Sequence, residues 1–352
     1  MHKNNFKLLY NNIWRAMKRL VSGIKPTGDL TLGNYIGAIK NFVKLQNEYE
    51  SYIFVADLHA LTTGKVNSKE FKEQRESIVA LYAACGLDFH KNAIFYQSQI
   101  LEHSQMQWLA LCQTTLGELK RMTQFKDQAS KLKQGNGTEK IPTGILTYPT
   151  LMAGDILLYN PDVVPVGEDQ IQHLELTRNI AQRFNKNYQT NLKIPQAIVP
   201  KVGSKIKSLN DPNVKMSKSQ KNPKSTIYLL EDPESAYKKV LKAVTDSENK
   251  IYLSESKPGI LNLLNIYAGI NDLSLEQAAE IFRDSNYKDF KEAVAKAVKD
   301  LLIQIQTKYQ YYLKNVDAII SVGAQKAQLL AKQTINNLQL KIGLYGENDE
   351  SK

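Results

Sequence analysis

Cysteine is nearly absent: Cys85 and Cys112 are the only two in 352 residues. They form no Cys-x-x-Cys pair, and the five histidines are scattered. That excludes the spacing of a structural zinc site and leaves too few thiols for a disulfide framework. A reducing, cytoplasmic setting is expected. Long apolar runs are missing too; none approaches the roughly 18 residues of a membrane helix, so no membrane partner is expected. Internal repeats and low-complexity tracts are not found, which argues against a solenoid. Acid is in short supply: 46 Lys and Arg face 35 Asp and Glu, a formal charge of +11. Such an excess suits a polyanionic partner, nucleic acid better than anionic lipid.

Residues 1–20 carry five Lys or Arg and no acid. They lack the Ser and Arg enrichment of a transit peptide. Met17 opens "MKRLVSG", so residues 1–16 are expected to be a short disordered extension or a misassigned start, with targeting as the alternative.

From residue 18 the text is regular. "RLVSG" reads as a buried strand, and "TLGNYIGAIKNFVKLQNEY" as a helix by its apolar spacing. "SYIFVADLHAL" reads as a second strand, "SKEFKEQRESIVALYAACG" as a helix stopped by Gly86, and "AIFYQS" as a third strand. Helical text follows over 102–125, then a loop, "KLKQGNGTEKIPTG". A buried helix is expected to begin at Pro149, a favoured first helical residue. "NPDVVPVGEDQ" reads as a strand leading into a helix over 169–184. This alternation predicts an α/β fold, a Rossmann-like parallel sheet flanked by helices. After about residue 225 strand signals fade and helical text runs nearly to residue 340.

Three short motifs carry chemistry. In "GIKPTGDLTLGNYIG", Gly33 and Asn34 fall at a helix start, where free amides and the positive dipole end suit phosphate; a plainly capped helix reads the same way. In "KMSKS", residues 215–219, Lys215 and Lys218 stand three apart in a turn-rich loop. They can neutralise charge that builds in phosphoryl or nucleotidyl transfer, or form a solvated charge run. In "PVGEDQIQH", Gly167 permits close backbone approach, and Asp169 either accepts ribose hydroxyls or caps a helix. A fourth stretch poses a question. "YPTLMAGDILLYN" sets Asp155 among apolar neighbours, where an unpartnered carboxylate is expensive.

Taken in order, "SGIKPTGDLTLGNYIGA", "GELKRMTQFKDQ", "LMAGDILLY", "VPVGEDQIQHLELTR" and "KMSKS" resemble the tryptophanyl branch of the class I aminoacyl-tRNA synthetases. The resemblance runs from about residue 19 to 344. It implies activation of L-tryptophan by Mg·ATP to an adenylate, then transfer to the 3′ end of tRNA(Trp). It also implies a homodimer and Mg²⁺ carried by ATP rather than by the protein. Lys25, Pro26 and Thr27 would lie in the nucleotide-contacting turn, with Gly33 and Asn34 near ATP. Gly167, Glu168 and Asp169 would hold the adenosine, and Ile206 would flank adenine. Lys215, Met216, Ser217, Lys218 and Ser219 would close on the phosphates, with Lys215, Ser217, Lys218 and Lys126 catalytic.

An indole offers one polar atom, a donor nitrogen. Tyr148, Met152 and Asp155, spaced by four and three, share one helix face, and Asp155 would accept the indole N–H. Tyr148 and Gln170 would anchor the amino group, while Met152, Val164 and Val166 would pack around the ring. His59 in "ADLHAL" matches an active-site histidine of the family, or is a satisfied core residue.

The chain departs from that pattern in four places. Lys25 stands where glutamine is common, Gln128 replaces a second lysine, Gly154 replaces an alanine, and the 129–143 loop is longer. Lys131 or Lys133 is a candidate substitute for the missing charge. The rivals are a tyrosyl-tRNA synthetase and a non-catalytic RNA-binding descendant. The expected divisions are 1–16, a catalytic domain over 17–225, a helical anticodon-binding domain over 226–320, and a C-terminal helix and tail over 321–352 that packs back on the catalytic domain.

Overall fold

The computed structural model describes residues 17–64, 66–132, 141–199, 206–216 and 223–344. The readings for residues 1–16, Lys133, Ser217, Lys218 and Ser219 lie outside the described residues, as does the last part of the tail.

Five parallel strands form one sheet: β1 (Lys18–Ile24), β2 (Tyr49–Val55), β3 (Ala93–Tyr96), β4 (Val163–Pro165) and β5 (Gln196–Ile198), in the order β3-β2-β1-β4-β5. β2 and β3 are buried on both faces, as parallel strands covered by helices must be: every residue of β2 after Tyr49 is buried, and all four of β3. Gly23 lies so close to β2 that a Cβ would sit 2.8 Å from the Phe54 carbonyl oxygen. The chain winds outward from β1 through β2 and β3, then returns to place β4 on the other side of β1. That reversal leaves a crevice at the carboxyl ends of β1 and β4, where open α/β sheets bind ligands.

Helix α1 begins at Leu32–Asn34, passes through a π turn at Tyr35–Ile39 and continues as Lys40–Leu45. Thr31 and Asn34 close a reciprocal capping box at its start. Helix α2 (Ser68–Ala84) leads to Gly86, whose φ of +105° only glycine holds without strain. Between β3 and β4 run α3 (Glu102–Cys112), α4 (Leu116–Arg121), α5 (Thr123–Leu132) and α6 (Thr143–Leu157); α7 (Ile171–Tyr188) joins β4 to β5.

Three local readings need correction. The second strand stops at Val55, and Asp57–Ala60 forms a helical turn. Long-range contacts divert it: the Asp57 carboxylate accepts from the Ser98 amide (2.9 Å) and hydroxyl (2.6 Å), and the Leu58 amide donates to Gln97 Oε1 (3.0 Å). The helical text over 102–125 is broken, because Arg183 reaches across to the Gln113 carbonyl (2.6 Å) and the Glu118 carboxylate. The third concerns Pro149, which does not open α6 but lies inside it. Buried Ile145 lies in the turns before Pro149, and the Thr147 and Thr150 hydroxyls donate to carbonyls three or four residues back. Tertiary packing there outweighs the roughly 3 kcal/mol that an interior proline costs.

Gly154 lets α6 press on α3: a Cβ would lie 2.9 Å from the Gln107 backbone nitrogen. An alanine at this position would force these helices apart.

The carboxyl-terminal part is helical: α8 (Pro233–Leu241), α9 (Pro258–Asn271), α10 (Leu275–Ile281), α11 (Tyr287–Lys314) and α12 (Val316–Ile342). It shares its core with the sheet; Leu20, Ile39 and Ile53 belong to one buried cluster with Leu264, Phe290 and Val298. On the other face, Ala327, Ala331 and Ile335 of α12 join Val21, Phe95, Met106 and Phe184. Gly323 brings α12 against edge strand β3, where a Cβ would meet the Ile94 carbonyl at 1.9 Å. Covering that strand protects it from pairing with another chain.

Candidate active site

A cavity of about 390 Å³ opens at the crevice between β1 and β4. Val21, Phe54, Val164 and Val166 give it apolar walls, and Met152 and Ile156 of α6 add to them. Polar groups enter from few places: Tyr148 and Asp155 on α6, His59 on the 57–60 turn, Gln124 and Gln128 on α5, Lys25 after β1, and Gly167 and Gln170 after β4. An apolar slot with a few convergent polar atoms is the form of a small-molecule site.

Asp155 is buried, with 1% of its surface exposed, yet it is far from unpartnered. His59 Nε2 lies 2.7 Å from its Oδ2. Gln97 Nε2 donates to Oδ1 at 2.7 Å, and His103 Nδ1 lies 2.7 Å from the same oxygen. Burial alone would raise the pKa of this group. The hydrogen bonds from His103 and His59 more than reverse that and hold the carboxyl at about 2. Asp155 is therefore an ionised acceptor. A carboxylate has about four lone-pair positions, so three partners leave Oδ2 with capacity for one more donor from the cavity.

A second chain of hydrogen bonds starts from Tyr148, on the same face of α6 as Asp155. Tyr148 Oη donates to Gln124 Oε1 at 2.8 Å, and Gln124 Nε2 donates to the Asp169 carbonyl at 3.3 Å. His173 Nε2 lies 2.8 Å from the same Tyr148 oxygen, so with Tyr148 already donating, His173 is the donor there. Burial lowers the His173 pKa to about 4, which keeps the ring neutral at pH 7.

The crevice end is more open. Gly167, Glu168 and Asp169 are exposed, and a Cβ on Gly167 would collide with Asp169 Oδ1 at 2.7 Å. Gln170 Nε2 donates to Asp169 Oδ2 at 2.9 Å. Gly33 packs near buried Ile206, and the Met216 amide donates to the Ile206 carbonyl at 2.9 Å. Lys215 pairs with Lys207 in an isolated antiparallel bridge. The start of the "KMSKS" loop is thus held beside the first turn of α1. Pro26 and Thr27 follow Lys25 in the turn after β1, where the Thr27 amide donates to the Lys25 carbonyl. Lys25 is half-buried, and burial lowers its pKa.

The structure brings Asp155, Tyr148, Met152, Gln170, His59, Val164 and Val166 together around one cavity, with Lys25 and Gly167 at its rim. It does not bring Lys126 there. On α5 the residues facing the cavity are Gln124 and Gln128, four apart, and Lys126 between them is exposed. Sequence reasoning missed Gln97, His103, Tyr159, Gln124 and His173. The one available signal was that a buried carboxylate requires donors; nothing in the spacing said which.

Residues 15–303 match the family model described as tRNA synthetases class I (W and Y). The chain is 58% identical over 327 residues to a tryptophan–tRNA ligase of Mycoplasmopsis pulmonis, covering 93% of this chain and 98% of that one. Among solved structures it is similar to a tryptophanyl-tRNA synthetase from Mycoplasma pneumoniae, with a TM-score of 0.87, 41% identity, and 94% and 98% of the two chains covered. It is also similar to one from Campylobacter jejuni complexed with ADP and tryptophan, with a TM-score of 0.75, 29% identity, and 93% and 100% covered.

Proposed function

Because the chain belongs to the class I tRNA synthetases, in their tryptophanyl branch, we propose how its cavity performs that family's reaction. Its activity is tryptophan–tRNA ligation: L-tryptophan is activated with ATP to the adenylate and then joined to the 3′ end of tRNA(Trp). The indole enters between Val21, Val164, Val166 and Met152 and gives its N–H to Asp155 Oδ2. Tyr148 and Gln170 face its ammonium group. This sets the substrate carboxylate toward the rim at Lys25 and Gly167, where the α-phosphate is attacked in line and pyrophosphate leaves.

No covalent enzyme intermediate is required. Positioning and preorganised charge supply the rate. Gly33, Asn34, Ile206, Gly167, Glu168 and Asp169 cradle the nucleoside, while Lys215 and Lys218 neutralise the departing pyrophosphate. Mg²⁺ arrives with ATP. The helical part over 226–320 meets the anticodon arm of tRNA, in keeping with the chain's +11 charge. The chain works as a homodimer in the cytoplasm, and exposed Leu101, Trp108 and Leu116 are candidates for the dimer face.

The observation that carries this reading is the ionised, buried Asp155 at the wall of an apolar cavity on the sheet's switch point. Amino-acid-dependent ATP–pyrophosphate exchange tests it. Exchange with tryptophan and not tyrosine is expected; exchange with tyrosine, or with neither, would overturn it.

A further inference from the structure

The starting premise is the reading above, that Asp155 accepts the indole N–H. We propose that His103 and Gln97, neither of which lines the cavity, are positioning residues that set tryptophan specificity by locking Asp155 as a fixed acceptor.

His103 is wholly buried on α3, among the rings of Phe54, Phe95 and Tyr159. Both its nitrogens are engaged: Nδ1 with Asp155 Oδ1 at 2.7 Å and Nε2 with Tyr159 Oη at 2.8 Å. The Tyr159 hydroxyl is buried, and burial holds its proton on. It donates to Nε2, so a neutral His103 carries its proton on Nδ1 and donates to the carboxylate. The bonds run one way, Tyr159 to His103 to Asp155, with one proton in each.

Gln97 is equally determined. It is fully buried, and its Oε1 accepts from the Leu58 amide at 3.0 Å. Its Nε2 must then be the atom 2.7 Å from Asp155 Oδ1. Two buried donors saturate Oδ1 and fix the plane of the carboxylate. Oδ2, which the partly exposed His59 also touches, is left to face a ligand. A pinned, ionised acceptor rewards a ring N–H and leaves a ring without a donor uncompensated, which is how buried polar groups discriminate.

The test compares tryptophan with 3-(benzothiophen-3-yl)alanine, whose ring carries sulfur in place of the N–H. The readout is kcat/KM in ATP–pyrophosphate exchange with the full chain. Wild type should prefer tryptophan. In His103→Leu that preference should fall by about tenfold or more, chiefly through KM for tryptophan. His103→Asn, which keeps a donor near the Nδ1 position, should restore it to within about threefold of wild type. Gln97→Met, which keeps shape and removes the other donor, should shift it the same way, and decides the matter if His103→Leu does not fold. Folded variants that keep the wild-type preference would overturn the role of His103 and Gln97 while leaving Asp155 in place. A wild type indifferent to the exchange of N–H for sulfur would instead overturn the reading of Asp155 itself.

Discussion

The two ends of the cavity are built differently. At the deep end Asp155, Gln97 and His103 are each at most 1% exposed, and their polar atoms are bonded to one another before any substrate arrives. At the rim Gly167, Glu168, Asp169 and Lys215 are exposed to water. The deep end has to tell one ring from another, which demands fixed acceptors in a dry site. The rim has to take in a polyanion and let pyrophosphate go, and exposed, well-solvated groups do that with less desolvation. Recognition is prepaid in the fold, whereas phosphate handling is left to the ligand's arrival.

The sharpest way to break this comparison is Asp155→Ala. It removes the acceptor and orphans two buried donors, so kcat/KM for tryptophan should fall by about 10²–10³-fold. A loss near that for an ordinary surface residue would mean that the deep end is not prearranged for the substrate. Next in size is acid sensitivity at the cavity wall. Burial holds His173 at about 4 against an ordinary 6.5, so on acidification the unfolded chain takes up its proton first. Stability should therefore decline from about pH 6.5 down to about pH 4, by about 3 kcal/mol in all. Asp155, held at about 2, adds its own loss only below its ordinary 3.8. Urea melts of wild type and His173→Gln at pH 7 and pH 4.5 check this: the variant should lose less stability on acidification.

At the rim, Lys218→Ala should slow adenylate formation by about 10²-fold, as for one lost transition-state donor, with tryptophan affinity largely kept. Wild-type exchange in that variant would remove Lys218 from the chemistry. The smallest effect expected is on packing. Gly154→Ala drives a methyl against the Gln107 backbone and should cost about 2 kcal/mol, seen as a lowered Tm. If stability is unchanged, α3 and α6 are less tightly coupled beside Asp155 than their contact implies.

Much of the rim was legible in the text. Gly167, read as a place of close backbone approach, does lie at the cavity, and Gly33 lies at the start of α1 beside Ile206; Lys218 lies outside the described residues. The face shared by Tyr148, Met152 and Asp155 follows from helical periodicity, and all three line the cavity. Of the donors to Asp155 only His59 was singled out, by resemblance; Gln97 and His103 were not legible, because they come from 58 and 52 positions away in the chain. Pro149 misled for a related reason: local preference starts a helix at proline, and packing carried α6 straight through it.

The sequence by itself determined an alternating α/β chain, its basic charge, and the order of motifs that marks its family. Those are properties of neighbours along the chain, set by periodicity and turn chemistry. Only the tertiary structure decided how a buried aspartate stays ionised, where the helical text over 102–125 breaks, and why Lys126 faces water while Gln124 and Gln128 face the cavity. Burial and long-range hydrogen bonding join segments that no local pattern connects, and a buried carboxylate's ionisation is set by those neighbours rather than by its own side chain.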